Sequence, residues 1–180
     1  MAELTMPSTA WLSVGANLGD KVNNCLKGIA VVNASDGCKV LDVSRFYRTS
    51  PVDYLDQDWF VNAAVRIATR LAPLELLDLL LSIQRKTGRK KGGIRFGPRL
   101  LDLDILLFDN RTMRSPQLEI PHPRMHKRAF VLVPICDIDP TVTHPVYGDT
   151  VAHLLEGLED DTQHVMPMET QPTLTRGRMP

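Results

Sequence analysis

What this 180-residue chain lacks narrows its class. Its three cysteines, Cys25, Cys38 and Cys136, are scattered and odd in number, with no C-x-x-C pair. Neither a disulfide framework nor a cysteine zinc site is supported, and a reducing cytoplasm is the default compartment. Met1 to Ala10 has no cationic start followed by an apolar core, so no signal peptide is visible. No apolar run approaches membrane-spanning length. Charge of one sign is missing too: 21 bases balance 21 acids, which leaves no overall field to draw in nucleic acid or a membrane. There are no internal repeats. The length suits a single domain over residues 1–160, with a monomer as the default, and a chain this size buries roughly 70% of its unfolded surface.

What is present is concentrated in one place. Gly97-Pro98-Arg99-Leu100-Leu101-Asp102-Leu103-Asp104-Ile105-Leu106-Leu107-Phe108 sets two aspartates one residue apart in an otherwise apolar run. Leu101, Leu103 and Ile105 alternate with Asp102 and Asp104, which is the side-chain period of a strand, so both carboxylates project from one face. Two like charges on an apolar sheet are costly, and a divalent cation relieves the cost. Mg²⁺ accepts a few carboxylate oxygens and fills its shell with phosphate and water. Immediately upstream, residues 85–99 hold seven cations, no acid and four glycines before Pro98. Metal-holding acids beside a Gly-rich cationic segment point to phosphoryl-type transfer from a nucleotide. Taken singly, the aspartate pair reads equally well as a solvated strand face. The basic run alone reads as a surface loop or a nucleic-acid contact.

The remaining chain reads as alternating elements. Strand one covers Ala10–Gly15. A helix with Asp20 as its N-cap carries Val22, Cys25, Leu26, Ile29 and Ala30 on one stripe and stops at Ser35-Asp36-Gly37. Lys39–Tyr47 is strand two and Trp59–Ala68 strand three, with an acidic loop between them. A second helix starts at Pro73, with Leu74, Leu77, Asp78, Leu81 and Gln84 on one side, and Gly88 ends it. The aspartate strand follows. Leu118–Ile120 is a short strand, Ala129–Cys136 a short helix interrupted by Pro134, and Asp149–Leu158 a late helix capped by Asp149 or Thr150. Residues 161–180 are polar and aperiodic and read as a disordered tail. Strand–helix–strand–strand–helix–strand is the split βαβ order of an α+β, ferredoxin-like fold, a mostly antiparallel sheet with helices on one face and the site on the other.

Six segments together resemble the 6-hydroxymethyl-7,8-dihydropterin pyrophosphokinase family of folate biosynthesis. They are Ser13–Gly19, Phe46–Pro51, Phe60–Val65, Gly97–Asp104, Ile120–Met125 and Arg128–Leu132, and the likeness spans about residues 10–158. The resemblance implies transfer of pyrophosphate from ATP to the pterin hydroxymethyl group, releasing AMP, with two Mg²⁺ ions on Asp102 and Asp104. It implies that Arg99 and His122 bind nucleotide phosphates, that Arg89 and Lys91 meet developing charge, and that Arg128 neutralises phosphate on the pterin side. Gln84 and Ile105 would border the nucleotide. Phe60 and Phe130 would face the pterin rings, with Asn62, Thr49 and Val52 along its edge. The bare pattern reads Phe130 as core and His122 as a loop residue. Asn62 inside a strand, by contrast, needs a polar partner that a ligand can supply. The sequence departs from the family's commoner pattern at Phe60, where Tyr is frequent, at Phe96, where Trp is frequent, and at Lys91, often Arg. Leu81 and Gln84 stand where Gln and Glu are common.

Two other classes remain on the page. An RNA-recognition domain can share this strand order, but it presents stacking aromatics on the strand face where this chain sets Asp102 and Asp104. An inactive scaffold homologue would have no need of the metal pair, Arg99 and Asn62.

Overall fold

The computed structural model describes residues 7–52, 54–88, 97–169 and 171. At its centre β1 (Ser8–Ala16) lies antiparallel to both β4 (Phe60–Thr69) and β5 (Asp102–Phe108). The outer side of β4 is shared by β2 (Cys38–Val43) and β3 (Tyr47–Thr49). Helix α1 (Lys21–Ala34) joins β1 to β2, and α2 (Pro73–Lys86) joins β4 to β5. The order β5–β1–β4–β3 with these crossovers is the ferredoxin-like arrangement.

Local chemistry sets the element ends. The Asp20 side chain accepts from Asn23 N–H and caps α1. Pro73 opens α2, and the Ala72 N–H donates to the Glu75 carboxylate at 2.7 Å. Gly88 closes that segment with a φ of +105°. Thr150 caps α4 (Val151–Glu156) through His153 N–H.

Both faces of the sheet are covered, which corrects the one-face expectation. One core joins α1 and α2 to Leu12, Val14, Val65, Leu103 and Ile105. A second joins α3 (Ala129–Ile138) and α4 to Trp11, Ala64, Leu106 and Leu107 on the opposite face. Helix α3 runs on through Pro134. The second core stops short of the other end of the same face, and that end is open.

Four further expectations change. The predicted second strand is broken after Val43, because Ser44 turns to bond β4: its N–H donates to Ala64 O and its hydroxyl accepts from Ala64 N–H. The buried stripe of α2 is Leu76, Leu80, Ile83 and Gln84, while Leu74 is exposed. The short strand near 118–120 is β7 (Glu119–Ile120), paired with β6 (Met113–Arg114), a strand the sequence did not suggest. Finally, the expected tail begins with structure: β8 (Val165–Pro167) pairs with β3, and its backbone and side-chain bonds outweigh its aperiodic sequence.

Candidate active site

The open end of the sheet is the floor of a cavity of about 200 Å³. Strand register builds that floor. Gly15 of β1 sits between Asn62 of β4 and Asp102 of β5, and Ser13 sits between Ala64 and Asp104. Alternation therefore brings both carboxylates and the Asn62 amide to one face, as their spacing predicts. Thr49 and Ser50 close one side, with Val52 and Phe60. Arg128 and Phe130 at the start of α3 close the other, with Arg99, His122 and Arg124 completing the lining.

Asn62 is nearly buried, and its Nδ2 donates to the Thr49 hydroxyl at 2.6 Å. That bond aims the amide, and the absence of a side chain at position 15 makes room for it: a Cβ on Gly15 would meet Asn62 Oδ1 at 2.3 Å. Phe130 is half-buried against the second core, and the Arg128 guanidinium lies 5.3 Å from its ring centroid.

Arg99 pairs with the Asp102 carboxylate. Its backbone is fixed by Asn17, a buried side chain whose Oδ1 accepts from Arg99 N–H at 2.7 Å and whose Nδ2 donates to Gln57 and to Asp58 O. Arg99 O in turn accepts from Asn17 and Leu18 N–H. Asn17 reads in the sequence as a turn residue. A polar side chain at the end of the central strand was the available signal for its positioning role.

His122 is held from β5. The β1–β5 ladder shifts register between Trp11 and Leu12, leaving Leu106 without a partner, and Leu106 O accepts from His122 N–H at 2.8 Å. Burial, then the charges of Arg128 and Arg124, push the His122 pKa down to about 4. Its Nδ1 accepts from Arg124 N–H, so the neutral ring carries its proton on Nε2 as a donor.

Ten of the predicted site residues thus meet in one cavity: Thr49, Val52, Phe60, Asn62, Arg99, Asp102, Asp104, His122, Arg128 and Phe130. Ser13, Gly15, Ser50 and Arg124 join them unforeseen. Two expected nucleotide neighbours are not in that lining. Ile105 packs into the helix-side core because it has the opposite parity to the aspartates. Gln84 is buried between α2 and β5, its Nε2 donating to Leu103 O at 3.2 Å and Leu80 O at 3.4 Å, so it is a core residue and not a rim residue. Arg89, Lys91 and Phe96 lie outside the described residues.

Among the described residues no group of three or more His, Cys, Asp or Glu gathers as a metal site. Asp102 and Asp104 are the two carboxylates among the described residues that line the cavity. This set suits Mg²⁺ shared with phosphate and water and is poor for zinc.

The family model for 7,8-dihydro-6-hydroxymethylpterin-pyrophosphokinase (HPPK) matches residues 11–140. A 2-amino-4-hydroxy-6-hydroxymethyldihydropteridine pyrophosphokinase of Bacillus subtilis (strain 168) is 42% identical over 133 residues, covering 74% of this chain and 79% of that protein. The enzyme of the same name from Methylorubrum extorquens is 39% identical over 150 residues, covering 83% and 93%. A mitochondrial folate synthesis bifunctional protein of Arabidopsis thaliana is 44% identical over 142 residues, which cover 79% of this chain but 25% of that longer protein. Among solved structures, a Plasmodium falciparum HPPK-DHPS superposes with a TM-score of 0.67 at 17% identity, covering 86% of this chain and 45% of that one. That likeness speaks for the fold.

Proposed function

The chain belongs to the 7,8-dihydro-6-hydroxymethylpterin-pyrophosphokinase family, and from that premise we propose how its cavity transfers pyrophosphate from ATP to 6-hydroxymethyl-7,8-dihydropterin. The reaction is a step of folate biosynthesis. The substrate hydroxymethyl oxygen bonds to the β-phosphorus and gives up its proton to water, the bond from that phosphorus to the α-phosphate bridging oxygen breaks, and AMP leaves with the bonding pair. The single observation that carries the reading is the strand row Asn62–Gly15–Asp102, which sets a pterin-edge amide and a metal-type carboxylate on neighbouring strands of one cavity floor.

Within this reading Asn62, aimed by Thr49, hydrogen-bonds the pterin edge, Val52 borders it, and Phe60 and Phe130 face its rings. Asp102 and Asp104 would hold the two Mg²⁺ ions, which would supply charge neutralisation for the phosphates. Arg99, Arg124 and Arg128 bind phosphate oxygens, in a lining where three guanidiniums face two carboxylates. His122, neutral at pH 7, donates from Nε2 to a phosphate without adding a charge that its arginine neighbours would oppose. Arg89 and Lys91, outside the described residues, are assigned the developing charge by their place in the sequence. Phosphoryl transfer depends on alignment and charge neutralisation more than on covalent catalysis, and this set supplies both. The reading takes the chain as a cytoplasmic monomer, in keeping with its three free thiols.

Release of AMP from ATP, measured with and without hydroxymethyl-dihydropterin and Mg²⁺, tests it. AMP release should require both. Asp102→Asn and Asp104→Asn should each abolish most turnover in a folded protein. Near-wild-type turnover of either variant at saturating Mg²⁺ would remove the carboxylates from the site.

A further inference from the structure

The segment after α4 lies beyond the stretch matched by the family model, yet it is tied to both walls of the cavity. On one side β8 extends the sheet at β3, pairing Thr49 with Val165 and Arg48 with Met166. One residue further along, Ser50 N–H donates to His164 O at 3.0 Å, and His164 N–H donates to the Ser50 hydroxyl at 2.9 Å. The His164 ring stacks on Trp59 with an interplanar angle of 3°. On the other side is Gln163. Its Oε1 accepts from Ala129 N–H at 2.8 Å and its Nε2 donates to Lys127 O at 2.9 Å.

Those two bonds hold the start of α3 at Lys127 and Ala129, on either side of Arg128. The helix has no side-chain cap of its own there: Arg128 stands at the N-cap without a capping bond. An uncapped helix start leaves donors unsatisfied and frays readily, and Gln163 satisfies one of them from 34 residues away. Adjacent residues of one segment, Gln163 and His164, thus hold the two sides of the cavity at a fixed separation. Asp160 accepts from Gln163 Nε2 at 3.0 Å and steadies the bridge.

We propose that Gln163 is a positioning residue for pterin binding: with His164 it clamps the Thr49–Ser50 edge to the Arg128–Phe130 turn, setting the width of the pterin slot. The proposal rests on the assignment of that slot to the pterin. A planar ring gains stacking and edge hydrogen bonds only when the slot fits its thickness. The clamp therefore acts on pterin affinity and leaves the Asp102–Arg99 side, bound through Asn17 and β5, undisturbed.

Calorimetric titrations of the full chain with hydroxymethyl-dihydropterin, and separately with a non-hydrolysable ATP analogue and Mg²⁺, test this. Gln163→Ala should weaken pterin binding roughly fivefold or more, the size expected of one lost net hydrogen bond, and leave analogue affinity within about twofold. Gln163→Glu keeps an acceptor for Ala129 N–H but sets a carboxylate against Lys127 O and Asp160, so it should bind pterin no better than Gln163→Ala. Equal weakening of both ligands, or a lowered melting temperature with pterin affinity intact, would overturn the proposal and leave Gln163 purely structural. Phe130→Ala is the control. If it weakens pterin binding while Gln163→Ala does not, the clamp fails alone. If neither does, the slot assignment and the clamp fail together.

Discussion

Gly15 and Asn62 stand opposite each other in the β1–β4 ladder, and the Asn62 amide occupies the space a side chain at position 15 would fill. Gly15→Ala is therefore expected to push the amide aside and break its bond to Thr49, while the backbone, which has an ordinary strand conformation, tolerates alanine. Pterin affinity should fall by about tenfold or more, equivalent to roughly 1.4 kcal/mol, with a smaller change in ATP-analogue affinity. Titration of the folded variant checks this, and unchanged pterin affinity would show that the amide does not face the ligand.

The two aspartate variants should differ in stability though not in activity. Asp102 and Arg99 pair with side chains 20% and 21% exposed. Removing the Asp102 charge leaves Arg99 short of a partner, at a cost of about 1–2 kcal/mol, between the surface and the fully buried cases. Asp104→Asn instead relieves repulsion from Asp102 and should leave stability level or slightly raised. Urea melts of both variants in metal-free buffer read the contrast. The same shift in both would mean that Arg99 does not depend on Asp102.

His122 gives the folded protein an acid-sensitive window. Its pKa is pushed down to about 4 in the fold, whereas an unfolded histidine titrates near the ordinary 6.5. Between those values the unfolded chain binds the extra proton and the folded one does not, so stability is complete above about pH 6.5 and is lost as pH falls toward 4. The contribution is at most about 3 kcal/mol. Burial lowers His126 and His144 as well, so they act in the same direction. The lowered carboxylates Asp58, Asp139 and Asp160 act further down, as pH falls through their depressed values below 3.8. Comparing urea melts at pH 7 and 5 for wild type and His122→Gln isolates the His122 share: the variant should lose less stability on acidification. An identical loss would place the ring in water.

Gln84→Glu is expected to act on the fold. The Nε2 atom donates to two carbonyls in a buried position, and a carboxylate there would oppose both with a charge. A loss of about 1–3 kcal/mol is expected at pH 7, recovering partly as pH falls and the new acid protonates. A melt at pH 7 and 5 checks the direction. Wild-type stability at pH 7 would return Gln84 to the nucleotide rim.

Most of the cavity floor was legible because alternation is a local signal. Asp102 and Asp104 share a face for the same reason Ile105 faces away, and Asp20, Pro73 and Gly88 mark their helix ends in the sequence itself. The residues that escaped are those whose roles depend on neighbours far along the chain. Asn17 acts on Arg99, 82 residues away, and Gly15 matters through the side chain across from it. Gln84 was misplaced because helical spacing gives a face but does not say which face meets the sheet. The strand at 165–167 was missed because a three-residue edge strand has too few side chains to show a pattern, and its bonds are backbone bonds to β3.

The irregularity at Leu106 divides β5 into two messages written in different phase. Before it, even-numbered positions carry chemistry; after it, the partners of Trp11 and Ala10 belong to packing. The extra residue absorbs the mismatch and lends its carbonyl to His122. Deleting Leu106 would let Ile105 and Leu107 follow Leu12 and Trp11 in an unbroken ladder with Asp102 and Asp104 unmoved, and the cost would fall on His122, whose N–H loses its acceptor. The residue that is surplus to the sheet is thus the one from which the cavity's histidine hangs.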